Sequence, residues 1–368
     1  MIILYLITLT ALVVYSWGFV DANMPIGTLR GLYSLVNYKR DISTLLYSCI
    51  IILLFLFYAW ILRSVQRGSF TSKKLWKLII TTCVLLFFSF PGLSYDVFNY
   101  IATAKVTYLY RENPYIVMPI EIPNEPMLRF LHASNKTALY GPIWILLTAI
   151  PHFLGLGNLF LTVYTFKMFV VFWYLLLCFL IWKISNKNVW SLAFFALNPL
   201  VIIETLVSAH NDVAMMSLAL GAFYVLSKDK KLLSCMLMLF SILIKYATIF
   251  LLPVYLFAYV QTLRKKKISY QSIWFWSTIS LYLIFFLSPL REEIYAWYLI
   301  WPLTFVSLLP FSSFLTLMSL GFSIGLPFRL SPFLYTREWG GITPLVKKIV
   351  TFVPPVVTSF LYAIKKHH

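Results

Sequence analysis

Apolar and polar positions in this chain are segregated by whole segments: long apolar runs are punctuated by short basic or proline-rich stretches. Runs near roughly 17 to 25 residues are what a helix needs to cross a bilayer. Backbone groups in hydrocarbon must be satisfied internally, so such runs predict an all-α, polytopic transmembrane helical bundle. The residue-by-residue alternation of a membrane β-barrel is missing. Spans are expected at about 2–20, 44–62, 78–93, 159–182, 189–207, 213–227, 232–245, 247–260, 273–290, 295–310, 311–328 and 345–364. That gives about 12 passes with both termini on one side. Residues 232–260 carry basic loops at both ends, so the chain must turn back near Lys245 as a hairpin.

Charge sets the orientation. Five nearly pure basic clusters (Arg63 to Lys77, Lys183 with Lys187, Lys228 to Lys231, Arg264 to Lys267, Lys365 with Lys366) fall between apolar runs, as cytoplasmic loops do under the positive-inside rule. Lys347 and Lys348, at an outer end, fit least well. The formal charge of +18 therefore marks topology, and no nucleic-acid partner is expected. Composition agrees, with 61% hydrophobic and 11% charged residues and a mean hydropathy of +0.85. Of the 12 acids only Asp229 then lies inside, which points to the outer side as the working side. The first apolar run has neither a basic leader nor a small-residue cleavage site and reads as a retained helix. All 4 cysteines lie in apolar runs without disulfide or zinc spacing.

One apolar run breaks the register. YGPIWILLTAIPHFLG, residues 140–155, would reverse every later loop if it crossed, and Pro142 and Pro151 count as helix disruptors. It is expected to be a juxtamembrane or re-entrant helix, which makes residues 94–158 one large external insertion with two helices. Loops that long are usually functional. In FPGLSYDVFNY, Pro91 and Gly92 end the third span and Ser94 is placed to cap a new helix. On it Val97, Ile101, Ala104 and Tyr108 share one face, and Asp96, Asn99, Thr103 and Thr107 another. Such a helix should lie on the outer surface, holding Asp96 at the water-lipid boundary. An acid in a first turn also has a simpler reading, favourable interaction with the helix dipole.

Other polar groups reach the same level. NPLVIIETLVSAHNDVAMM breaks an apolar region with Glu204, His210, Asn211 and Asp212, and ionisable groups at membrane depth mark function. Capping of the next helix is the alternative for Asn211 or Asp212. Lys245 falls at the hairpin tip, where snorkelling is the alternative. SPLREEIYAWYLIWP brings Arg291, Glu292, Glu293, Trp297 and Tyr298 to an outer edge, and an aromatic belt is the favoured reading for Trp297. Lys105 projects opposite Asp96, and Arg111 and Glu112 are left to solvent.

The ordered stretches SYDVFNY...ENPY, YGPIWILL, NPLVIIETLVSAHND, LIKYATIFLLP and YAWYLIWPL resemble successive motifs of GT-C membrane glycosyltransferases. They are most similar to polyprenyl-phosphate-mannose-dependent mannosyltransferases. The resemblance covers roughly 75–310, dividing the chain into two extra N-terminal helices (1–74), a GT-C-like catalytic core (75–310) and C-terminal helices (311–368). Tyr110, Arg111 and Glu112 depart from the family pattern before NPY. The resemblance implies transfer of a sugar, mannose in the family, from a polyprenyl-phosphate donor to a lipid or glycan acceptor, with Asp96 as catalytic base. His210, Asn211, Asp212 and Lys245 stand at further motif positions.

A positioned carboxylate can take the acceptor hydroxyl's proton, and cations can stabilise the departing phosphate. Lys245, Arg291 and His210 are the phosphate-binding candidates. Asn99, Tyr100, Asn113, Tyr115, Glu204, Asn211, Asp212 and Tyr298 are the substrate-binding ones. A single displacement inverts the anomeric centre. Walker, Rossmann and Asp-x-Asp signatures are missing, so the donor is expected to be lipid-linked, and no metal or other cofactor is expected. The expected location is the plasma membrane, with the site facing out. Rival readings are a polytopic lipid or sugar transporter or flippase, which should show two similar halves, and a lipid-dependent envelope polysaccharide polymerase or ligase, which should carry its large loop late.

Overall fold

A computed structural model describes residues 1–20, 27–131, 133–290 and 292–367. The helices are α1 (Ile2–Ser16), α2 (Arg30–Tyr38), α3 (Arg40–Gln66), α4 (Ser72–Phe87), α5 (Asp96–Ala104), α6 (Pro142–Leu154), α7 (Leu159–Ile184), α8 (Val189–Ala196), α9 (Pro199–Ile202), α10 (Asp212–Leu226), α11 (Lys231–Ile244), α12 (Leu252–Leu263), α13 (Tyr270–Leu287), α14 (Ile300–Val306), α15 (Phe314–Gly325), α16 (Leu330–Thr336) and α17 (Thr343–His367). No strand occurs among the described residues. Among the described residues seven helical segments are long and apolar enough to cross a bilayer, or eight if the bent pair 189–207 counts as one. Helices also stand at the other four expected spans, but α4, α10, α11 and the 296–306 helix are shorter.

The bundle is built around α8 to α10. From Asp212 to Phe223 every residue of α10 is buried, the mark of a helix apolar on all sides and surrounded by others. Hydroxyls stitch it to its neighbours: Ser217 of α10 donates to Trp173 O of α7 at 2.9 Å, while Ser234 and Ser241 of α11 donate to Ala222 O and Met215 O of α10, each at 2.8 Å. Such bonds suit a medium where a polar group has no water to fall back on. A buried lysine performs the same task. Lys167 of α7 donates through Nζ to Leu86 O (2.9 Å) and to Ser89 O and Oγ (2.5 and 2.6 Å), gathering carbonyls at the end of α4.

At the C-terminal side α15 lies against α17 through Gly321 and Gly325. A Cβ at Gly325 would stand 2.0 Å from Val350 O, and one at Gly321 would stand 2.4 Å from Pro355 Cα. This is the close backbone approach that small residues four apart permit.

The insertion 94–158 holds both expected helices, α5 and α6, with short turns between them. Ser94 Oγ reaches the Asp96 amide at 3.4 Å, but Tyr95 occupies the N-cap position. The expected surface-lying α5 is packed more deeply: besides Val97, Ile101 and Ala104, it buries Phe98, Tyr100 and Ala102. Pro142 does not disrupt α6. It stands in the first turn, where its missing N–H costs nothing, while Pro151 falls in the last turn. Lys105, opposite Asp96 as expected, pairs with buried Glu125, which also accepts the Tyr110 hydroxyl and the Met127 amide. Arg111 and Glu112 are exposed.

Candidate active site

Two local devices set the site's backbone. After α9 the helix widens to a π turn over Ile203–Val207, a geometry often found at functional sites. It closes with Ser208 N to Ile203 O at 2.9 Å and His210 N to Glu204 O at 3.0 Å, while Ala209 between them takes a left-handed φ of 59°. This closure turns Glu204 and His210 toward one another. At the other corner the helical path breaks at Lys245, which is extended (φ −156°, ψ 124°), as the hairpin requires. Gly141 seats against that corner: its amide donates to Ile244 O at 3.0 Å, and a Cβ there would fall 2.2 Å from Leu243 O. The YGP stretch thereby joins the insertion to Lys245.

Within this frame His210, fully buried, stands between two carboxylates. Its Nδ1 lies 3.3 Å from Asp96 Oδ2 and its Nε2 3.2 Å from Glu204 Oε2. Neither N–H is well aligned on its oxygen, so the contacts are ionic more than directional. Trp297 stacks on the ring at 4.0 Å and 21°, and Tyr295 stacks on Trp297 at 4.5 Å. The imidazole lies in the turn between the bent segment 189–207 and α10. Burial alone would strip its charge, but Asp96 and Glu204 outweigh it and push its pKa up to about 9. For Asp96, burial likewise opposes ionisation, yet His210, Lys245 and the Tyr140 hydroxyl hold its carboxyl below the ordinary range.

Beside this triad is a second pair. Lys245 Nζ donates to Asp212 Oδ1 at 2.9 Å, and Trp301 Nε1 donates to the same oxygen. Lys245 also lies over the rings of Tyr298 (5.1 Å) and Trp301 (5.4 Å), which favour a cation at their faces. Within the cluster three acids face two cationic groups. Exposure separates them: the side chains of His210 and Asp212 are closed, while Asp96 keeps 25% and Lys245 20% of theirs open. The groups reachable from outside are one carboxylate and one amine.

Several expected roles change. His210 cannot receive a phosphate, because its two nitrogens face carboxylates and its ring is covered. Trp297 is no belt residue, for it forms the wall against that ring. Tyr100 is 1% exposed, packed edge-on by Tyr140 and Trp144, and its hydroxyl accepts the Asn211 amide at 3.2 Å; it holds the site and offers no face to a sugar. Asn211 occupies the N-cap of α10 but makes no capping bond; both polar atoms of its side chain are buried without partners. Glu204 and Asp212 are buried against His210 and Lys245. Asn99 lines a narrow cavity with Thr103, Lys136 and Tyr140. Asn113 accepts the Tyr115 amide at 3.0 Å and the Tyr115 hydroxyl donates to Tyr140 O at 2.9 Å, so this pair steadies Tyr140. Arg291 lies outside the described residues.

The structure also adds residues. Tyr140 and Trp301 lie in the YGPIWILL and YAWYLIWPL stretches, and their position in those motifs was the available signal. Glu293 pairs with Arg329 at 2.5 Å and with Lys347 at 2.6 Å, and Arg329 Nη1 donates to Thr351 Oγ1 at 2.8 Å. The misfit Lys347 thus has its counter-charge, and α16 and α17 are tied to the segment that carries Tyr295 and Trp297.

A helical membrane bundle that gathers acids, an imidazole and an amine at the mouth of a folded insertion has the architecture of a GT-C membrane glycosyltransferase. The family described as alpha-(1->6)-mannopyranosyltransferase, N-terminal domain (MptA_B family) matches residues 4–261, and the chain belongs to that family. The protein is accordingly a membrane glycosyltransferase acting on mannose. No curated protein and no solved structure matches the chain.

Proposed function

We propose that the protein transfers a mannosyl group, with inversion, from a polyprenyl-phosphate donor to an acceptor hydroxyl at the outer face of the plasma membrane. Asp96 is the base. A hydroxyl becomes an adequate nucleophile only as its proton leaves, and Asp96 is the one carboxylate of the triad with a substantial part of its side chain open to a substrate. This observation carries the reading. As the acceptor oxygen bonds to the anomeric carbon, its proton passes to Asp96 and the bond from carbon to phosphate oxygen breaks, leaving its electron pair on the phosphate. Lys245, whose charge acts on Asp96, is the cation on hand for that developing charge. Its bond to Asp212 restrains the amine without closing it off. Phosphate leaves without an acid carboxylate, so none is assigned, and no metal or other cofactor is part of the proposal. The proposed catalytic core is 75–310, flanked by 1–74 and 311–368, with an acceptor that is a lipid or a glycan.

Asp96→Asn in purified, reconstituted protein should reduce transfer from radiolabelled polyprenyl-phosphate mannose by roughly 100- to 10,000-fold, with donor binding retained. Undiminished transfer would remove Asp96 as base. Mannosyl flux into vesicles without new glycosidic bonds would replace the enzyme reading with a transporter.

A further inference from the structure

Glu204 is the component of the site that the transfer reaction, as drawn above, does not use. It is 8% exposed and sits on the π turn, where widening of the helix aims its carboxylate at the far nitrogen of His210, 3.2 Å away. The near nitrogen faces Asp96 at 3.3 Å. An imidazole carries protons on both nitrogens only when it is cationic. With an acceptor oxygen on each side and an indole face beneath, the surroundings are complementary to imidazolium and not to the neutral ring. A neutral imidazole would leave one carboxylate facing a lone pair.

We infer that Glu204 is a positioning residue for the transfer, acting through His210: it keeps the imidazole doubly protonated so that Asp96 stays ionised and its free oxygen stays turned to the acceptor. The inference rests on the reading of Asp96 as base. No proton need cross the imidazole. The acceptor's proton lands on Asp96, the triad passes from a net charge of −1 to zero, and His210 keeps both of its own. A lone imidazolium against Asp96 would weaken the base by neutralising it. A second carboxylate sharing that cation leaves Asp96 with more of its basicity, so Glu204 tunes as well as anchors.

The groups that face this ring and its partners are set on several elements. Asp96 and Tyr100 come from α5, and Tyr140 from the loop before α6. Tyr47 of α3 faces Glu204, Asp212 pairs with Lys245, and Tyr295 lies near Asp96, Glu292 and Glu293. Among the described residues the carboxylates that touch the ring nitrogens are those of Asp96 and Glu204.

The test is the pH profile of transfer in proteoliposomes, together with the imidazole titration read by NMR on protein labelled at histidine Cε1. His210 is assigned by the resonance lost in His210→Gln. In the wild-type protein that resonance should remain in the protonated position through pH 8; titration near the ordinary 6.5 would overturn the inference, whether or not any variant folds. In Glu204→Gln the titration and the alkaline limb of kcat should both move down by about one to three pH units, with KM for the donor unchanged. Glu204→Asp, which keeps the charge, should restore most of the limb. An unmoved limb, or a raised KM with kcat intact, would make Glu204 a substrate contact or a packing residue instead. Failure of the base itself shows separately: Asp96→Asn would stay active while the imidazole of the wild-type protein kept its elevated midpoint.

Discussion

Ala209 holds a backbone conformation that L residues seldom adopt, and it does so between the two polar residues whose meeting defines the site. Ala209→Gly should fold and work normally. Ala209→Val should cost about 1–3 kcal/mol in detergent unfolding and lower transfer, because a β-branched side chain resists left-handed φ. The ring it aims has a stability signature too. A group whose pKa rises on folding stabilises fully below its ordinary value, so the contribution of His210 should be complete below 6.5 and vanish as pH climbs through about 9. Thermal unfolding between those values, compared with His210→Gln, measures it. At this scale the sequence was legible where charge stood out from apolar surroundings, as with Asp96, Glu204, His210, Asp212 and Lys245. It was opaque for Trp297, since an indole at a span end looks the same whether it meets lipid or an imidazole. Lys167 was hidden because its partners, two backbone carbonyls and the Ser89 hydroxyl at and just past the end of α4, form no charge pattern.

Hydropathy located the helices because burial in a bilayer demands length and uniformity, and the break at Lys245 followed from basic loops on both sides of a run too short for two straight crossings. What hydropathy could not convey is bending: the 189–207 segment folds by 53° at the break between α8 and α9, where Asn198 caps α9 and Pro199 stands in its first turn, and a π turn follows over Ile203–Val207. A π turn recurs in the insertion, where Lys105–Leu109 closes with Glu112 N on Val106 O and a left-handed Arg111. The contact of Gly321 and Gly325 went unread in the sequence, because their spacing names no partner helix. Gly325→Leu should separate α15 from α17 and cost at least about 1–3 kcal/mol, seen as a lower Tm, since Val350 O already occupies the space. Gly141→Ala should act on the site itself, pushing the insertion off the Lys245 corner and reducing kcat without unfolding the bundle.

Across the whole molecule, some acids are working groups and others are fasteners. Glu125 fastens the insertion to α5 through Lys105, and Glu293 fastens α16 and α17 to the segment above His210. Neither division was visible from composition, because partners separated by 36 or 54 positions share no local pattern. Glu293→Gln should leave Arg329 and Lys347 incompletely neutralised where their side chains are only 12% and 11% exposed. A loss of about 1–3 kcal/mol is expected, together with reduced transfer, measured by unfolding and assay in parallel. The fastening also bears on ancestry. Arg329 and Lys347 lie past the segment that matches the family, yet they clasp a carboxylate one stacked pair of rings from the imidazole. Among descendants of this chain, Glu293, Arg329 and Lys347 should therefore be inherited or replaced as a trio, and a lineage that sheds its final helices should rebuild that span of the roof from some other stretch of polypeptide.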